Sequence, residues 1–219
     1  MQFVIKRVPL GKKVISVLTP QNVPDNLWFA EPLITSRAIL GDANGFAFLS
    51  ELFLIAVENQ IPNVMFFVPR PYKNNHTPVL ATKEIRSWYN IGKYDLDLVL
   101  FNYHILQIRP KEIKRVINSL TYLPGKEINL MPKSTLLNDY IDTWNHWRLK
   151  RLLNTKAFSK YLAVSGNRDI LLYLAYQADR FKDIEDDEEY NFRHSHADTI
   201  GTSVDNGMDF YYYYENSLK

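Results

Sequence analysis

Residues 194–198 read His-Ser-His-Ala-Asp, the sharpest local grouping of ligand-type side chains in a chain of 219 residues. On a strand, side chains two apart share a face, so His194, His196 and Asp198 would project together. Two imidazoles and a carboxylate could hold zinc or iron and leave a coordination position open. A strand end with hydrogen-bonded surface histidines explains the same residues more plainly and is preferred. The remaining histidines, His76, His104 and His146, stand in unrelated contexts.

Two further features flank this motif. Asp183, Glu185, Asp186, Asp187, Glu188 and Glu189 put six of the chain's 24 carboxylates into seven consecutive positions. Such a block repels itself and favours either solvent or a cationic partner, for which it would raise the association rate. The ion-binding alternative lacks the ligand spacing and glycine of an EF-hand loop. Downstream, residues 210–214 read Phe-Tyr-Tyr-Tyr-Tyr. On a strand, Tyr211 and Tyr213 face one way while Phe210, Tyr212 and Tyr214 face the other. One of those faces packs on a helix. The other is either aromatic area offered to a partner or a second packed layer.

What is missing narrows the chemistry. There is no cysteine, hence no disulfide, thiolate metal site or thiol nucleophile. No nucleophile elbow, P-loop, dinucleotide fingerprint or His-Glu-x-x-His pattern occurs, and eight glycines supply few phosphate-cradling loops. A net charge of +2 gives no global field for nucleic acid or membranes. The composition, 46% hydrophobic and 23% charged, is that of an ordinary globular protein. The basic residues near the N-terminus follow the first short apolar run, the reverse of a secretory signal. The most apolar stretch, 46–57, is shorter than the roughly 20 residues that span a bilayer. The expectation is a cytoplasmic binding protein with no cofactor and no enzymatic activity.

The elements that must position these residues are readable in outline. Residues 2–7 and 14–18 read as strands about a turn at Gly11, and 27–30 as a short edge strand. After Gly41, Asp42 or Asn44 can cap a helix whose apolar residues Phe46, Leu49, Leu52, Phe53 and Ala56 recur at helical spacing. Val64–Val68 is apolar throughout, like a strand buried on both faces. A second strand is expected over 85–90 and another over 96–103. Pro110 suits the first turn of a helix, and Pro124-Gly125 makes a turn. A long helix is expected over 134–154, with Arg148, Lys150, Arg151 and Lys156 at its end, where cations suit the helix dipole.

The chain also repeats itself. Ala163, Val164, Gly166 and Asn167 match Ala38, Ile39, Gly41 and Asp42, and Leu171 and Leu174 match Phe46 and Leu49. At the same offset, Phe192 falls on Phe67, and Asp209, Phe210, Tyr213 and Tyr214 fall on Glu84, Ile85, Trp88 and Tyr89. The expected fold is α+β. It has two related β-α-β-β units, in 1–94 (repeat copy 38–90) and 163–219, with a largely helical middle section over 95–162. What the second copy adds is the acidic run, the histidine segment and the tyrosines. The residues expected to bind a partner are therefore Asp183, Glu185, Asp186, Asp187, Glu188, Glu189, His194, His196, Tyr211 and Tyr213.

Two resemblances follow from these residues. The histidine segment resembles the His-x-His-x-Asp-His ligand motif of metallo-β-lactamase-fold hydrolases, with Thr199 in place of the last histidine. It implies a metal-dependent hydrolase using His194, His196 and Asp198 as the alternative function. The second copy as a whole resembles small immunity proteins of bacterial polymorphic-toxin systems. Its matching parts are Val164 to Asn167, a leucine-rich helix over 170–178, the His-x-His-x-Asp strand end and the alternating strand over 208–214. That resemblance implies a non-enzymatic protein that neutralises a cognate toxin by stoichiometric binding, a basic nuclease being one candidate. A scaffold or adaptor with the same surfaces is the third reading.

Overall fold

The computed structural model describes residues 1–32, 37–70, 91–93, 96–132, 137, 153–182, 194–196 and 207–212. The strands, in chain order, begin with a hairpin of β1 (Gln2–Leu10) and β2 (Lys13–Pro20), closed by Gly11 at φ +60°, a backbone region glycine adopts without strain. Then come β3 (Leu27–Pro32), β4 (Arg37–Gly41), α1 (Ala43–Glu58) and β5 (Val64–Val68). β6 (Ile91–Lys93), β7 (Asp97–Asn102), α2 (Pro110–Ser119) and a 3-10 turn at Leu120–Tyr122 follow. β8 (Lys126–Asn129), β9 (Asn154–Phe158), β10 (Tyr161–Gly166), α3 (Arg168–Asp179), β11 (His194–His196) and β12 (Met208–Tyr212) complete the set.

The fold is α+β, as the sequence indicates. Among the described residues, seven strands form one sheet in the order β8-β1-β2-β5-β7-β10-β9, and five form a second in the order β11-β12-β4-β3-β6. The two sheets share a motif. In the first, β5 runs antiparallel to β7, β7 parallel to β10, and β10 antiparallel to β9. In the second, β11 runs antiparallel to β12, β12 parallel to β4, and β4 antiparallel to β3. Each block of four therefore takes two strands from each half of the chain. The halves interlock rather than lie side by side.

The stitches between the blocks correspond as well. β3 runs near β10, and β4 near β9. The Leu96 N–H donates to the Phe29 carbonyl (3.2 Å), joining the start of β7 to β3. At the matching place, the Thr155 hydroxyl donates to the Gly207 carbonyl (3.1 Å), joining β9 to the start of β12.

The helices begin identically in both copies. Asp42 caps α1 by accepting from the Gly45 N–H (2.7 Å), and Asn167 caps α3 by accepting from the Ile170 N–H (2.9 Å). Both follow a strand that ends in glycine, and both satisfy a donor that the first helical turn leaves orphaned. α1 and α3 pack on each other, and one large core joins them to the inner faces of both sheets. Phe46 sits at its centre, 4.8 Å from Phe181 and 5.8 Å from Phe210 between ring centres. A second core lies on the other face of the seven-stranded sheet, where Ile113, Val116 and Ile117 of α2 cover Met65, Phe67, Val99 and Phe101.

Several expectations change here. Residues 27–30 belong to β3, which lies between β4 and β6 and is not an edge strand. The helix expected over 134–154 does not reach Asn154, which opens β9, and Lys156 lies on that strand. Most of that expected helix, with Arg148, Lys150 and Arg151, lies outside the described residues, as do 71–90 with the expected strand 85–90. β8 and β9 are additional strands. Their sequences, KEIN and NTKAF, alternate with charged or polar residues and carry little apolar signal. Among the described residues, no helix is long and apolar enough to cross a membrane.

Candidate functional site

The sequence offset sets β12 against residues 84–89, outside the described residues. The hydrogen-bond ladders set it against β7 instead. Leu100 pairs with Val164 in one sheet, and Phe210 pairs with Ile39 in the other. Since Ile39 and Val164 already correspond by sequence, Phe210 corresponds to Leu100, Asp209 to Val99 and Tyr211 to Phe101. One strand further out, Phe66 pairs with Leu100 and Ser195 pairs with Phe210. Hence position 194 corresponds to Met65 and position 196 to Phe67.

This matching separates what the copies share from what they do not. Towards the large core the equivalence is apolar: Leu98 and Leu100 in β7, and Met208 and Phe210 in β12. On the opposite face the copies diverge. Met65, Phe67, Val99 and Phe101 of the first sheet give way to His194, His196, Asp209 and Tyr211 of the second. The register places His194 directly across from Tyr211 and His196 directly across from Asp209. Directly opposed positions in antiparallel strands have Cβ atoms about 4.5–5.5 Å apart. Four chemistry-bearing residues thus take neighbouring positions at one end of one sheet, with β11 as its edge strand among the described residues.

Their setting is buried on the β12 side. Asp209 is 3% exposed and Tyr211 5% exposed, and the Tyr211 hydroxyl donates to Asp209 Oδ2 across a long 3.5 Å. Of the two outcomes left open for the outward tyrosines, Tyr211 takes the packed layer. Its neighbours on the same face, Leu40, Ala38, Trp28 and Ala30, are buried too, and the Arg70 guanidinium lies 4.6 Å over the Trp28 ring. On the other side of β11, the Ser195 hydroxyl donates to Gln177 Oε1 of α3 (2.6 Å). That bond ties the edge strand to the helix of its own copy.

Asp183, Glu185, Asp186, Asp187, Glu188, Glu189, Asp198 and Tyr213 lie outside the described residues. The structure therefore brings His194 and His196 together with Tyr211 and leaves the acidic run placed by sequence alone. Asp209 is the residue that motif reasoning passed over. Its signal was a single carboxylate at an alternate position of an otherwise apolar and aromatic strand, MDFYY. Among the described residues, no group of three or more histidine, aspartate or glutamate side chains is gathered to hold a metal ion.

One other polar setting sits at the carboxyl ends of the parallel pair β7 and β10. A cleft of about 520 Å³ there is lined by Lys13, Tyr103, Gln107, Arg109, Asn154 and Ser165, among others. Burial pushes the Tyr103 phenol above its ordinary value of 10.0. No family model, curated protein or solved structure matches the chain.

Proposed function

We propose that the chain is a cytoplasmic immunity-type protein that neutralises a cognate bacterial toxin by stoichiometric binding, without catalysis. One observation carries this reading. The copies share helix caps, strand order and inner faces, and they differ where the second acquires His194, His196, Asp209 and Tyr211. A duplicated scaffold that keeps its core and changes one sheet end has placed its specificity there. The acidic residues Asp183, Glu185, Asp186, Asp187, Glu188 and Glu189 lie between α3 and this strand pair in sequence. They would steer a basic toxin to it, because a concentrated charge raises the rate of encounter more than it deepens affinity. Buried Tyr211 and Asp209 act from beneath, as the packed support of the strand that carries His194 and His196. Tyr213 follows β12 directly in sequence and is proposed to contact the same partner.

The test begins with the tagged chain used to capture its partner from the native cell. The captured protein, expressed alone, should arrest growth, and co-expression of the chain should restore it. A captured partner that is harmless alone, or toxicity that co-expression does not relieve, would count against the reading.

A further inference from the structure

A second charged surface lies on the far side of the seven-stranded sheet from α1 and α3. The exposed face of α2 carries Lys111, Lys114, Arg115 and Asn118 at helical spacing, while Ile113, Val116 and Ile117 face the core. These residues line one wall of a cleft of about 720 Å³ whose other lining residues include Val8, Pro9, Tyr122 and Leu123. Among the described residues, no carboxylate lines it. Glu112, the only acid on α2, faces elsewhere and accepts from the Arg109 N–H (2.8 Å). Among the described residues, Lys111, Lys114 and Arg115 make no ion pair.

The far wall is built rather than incidental. The Lys6 ammonium donates to the Leu120 carbonyl (2.7 Å), and the Leu123 N–H donates to the same carbonyl (3.4 Å). These bonds hold the 3-10 turn that presents Tyr122, a large aromatic side chain that is 87% exposed. Tyr122 and Arg115 are of the residue types enriched at binding surfaces, here set beside two further cations.

We infer that this cleft docks an acidic polypeptide segment, carboxylates on Lys111, Lys114 and Arg115 and an apolar side chain on Pro9, Tyr122 and Leu123. The apolar floor favours a peptide over nucleic acid. Three cations neutralise few phosphates, and the net charge of +2 adds no wider basic field. Among the described residues, none of the β11–β12 pair lines the cleft, so the inference stands whether or not the toxin reading does.

The experiment uses the full chain and a fluorescein-labelled peptide with the sequence of residues 183–189, an acidic probe with one isoleucine among six carboxylates. Fluorescence anisotropy at low salt should report saturable binding. The charge reversal Lys114→Glu with Arg115→Glu should weaken it by about tenfold or more, since like charges face the probe. Tyr122→Ala should weaken it by a smaller factor. All three positions are exposed, so far-ultraviolet circular dichroism and thermal unfolding should match the parent chain. A milder Lys114→Gln with Arg115→Gln pair should fall between the two. Absence of saturable binding, equal binding by the charge-reversed chain, or tighter binding of an oligothymidylate of equal charge would overturn the inference.

Discussion

At the residue scale, two helix caps carry the strongest quantitative expectations. Asp42 and Asn167 occupy corresponding positions and perform one task, accepting the N–H three residues on. Asp42→Ala and Asn167→Ala should each cost about 1 kcal/mol. In urea this would read as a lower midpoint with an unchanged slope. Gly45 has a different constraint. A Cβ there would lie 2.8 Å from the Asn26 backbone oxygen, the same atom that accepts the Asp42 N–H. Gly45→Ala should therefore destabilise more than an average surface change, by about 1–3 kcal/mol. Tyr103 adds a pH dependence. Its folded-state pKa lies above the ordinary 10.0, so its contribution is fully present below pH 10 and is lost as pH rises through the raised value. Tyr103→Phe should flatten that alkaline slope in a pH series of urea titrations; an unchanged slope would assign it to other tyrosines.

At the element scale, the parts readable from sequence are those whose evidence is local. The periodicity of Phe46, Leu49, Leu52 and Phe53, the cap after Gly41, the leucine-rich run over 170–178 and Pro110 at the first turn of α2 all correspond to observed helices. β5 and β7, apolar and bounded by polar residues, were equally plain. β8 and β9 were not, because edge strands of this sheet carry Lys126, Glu127 and Lys156, charges that discourage further pairing. Asp97 illustrates a subtler case. It opens β7 as a polar residue, yet it is buried, accepts the Arg70 N–H (2.7 Å) and lies 3.3 Å from the Lys160 ammonium. Asp97→Ala should cost about 1–3 kcal/mol by stranding that N–H, visible as a lower melting temperature. Phe46→Ala should cost more, about 3–5 kcal/mol, because its ring meets α3's flank and β12 at the centre of the main core.

At the scale of the whole molecule, the interlocking of the two halves is what sequence could least reveal. The repeat was visible, but strand pairing between distant segments leaves no local trace, so the offset pointed β12 at residues 84–89 while the ladders matched it to β7. For the same reason the histidine segment read as a motif with Asp198, and its register partner Asp209 went unmarked. The topology predicts that fragments 1–132 and 153–219 are unfolded alone and regain native circular dichroism when mixed, since each four-strand block needs both. The functional account rests on what the second copy adds, and association kinetics test it most directly. Stopped-flow mixing of the captured partner should be slowed when the six carboxylates of 183–189 are replaced by neutral isosteres, and its dependence on salt should flatten. Association that is as fast and as salt-sensitive as before would contradict the account.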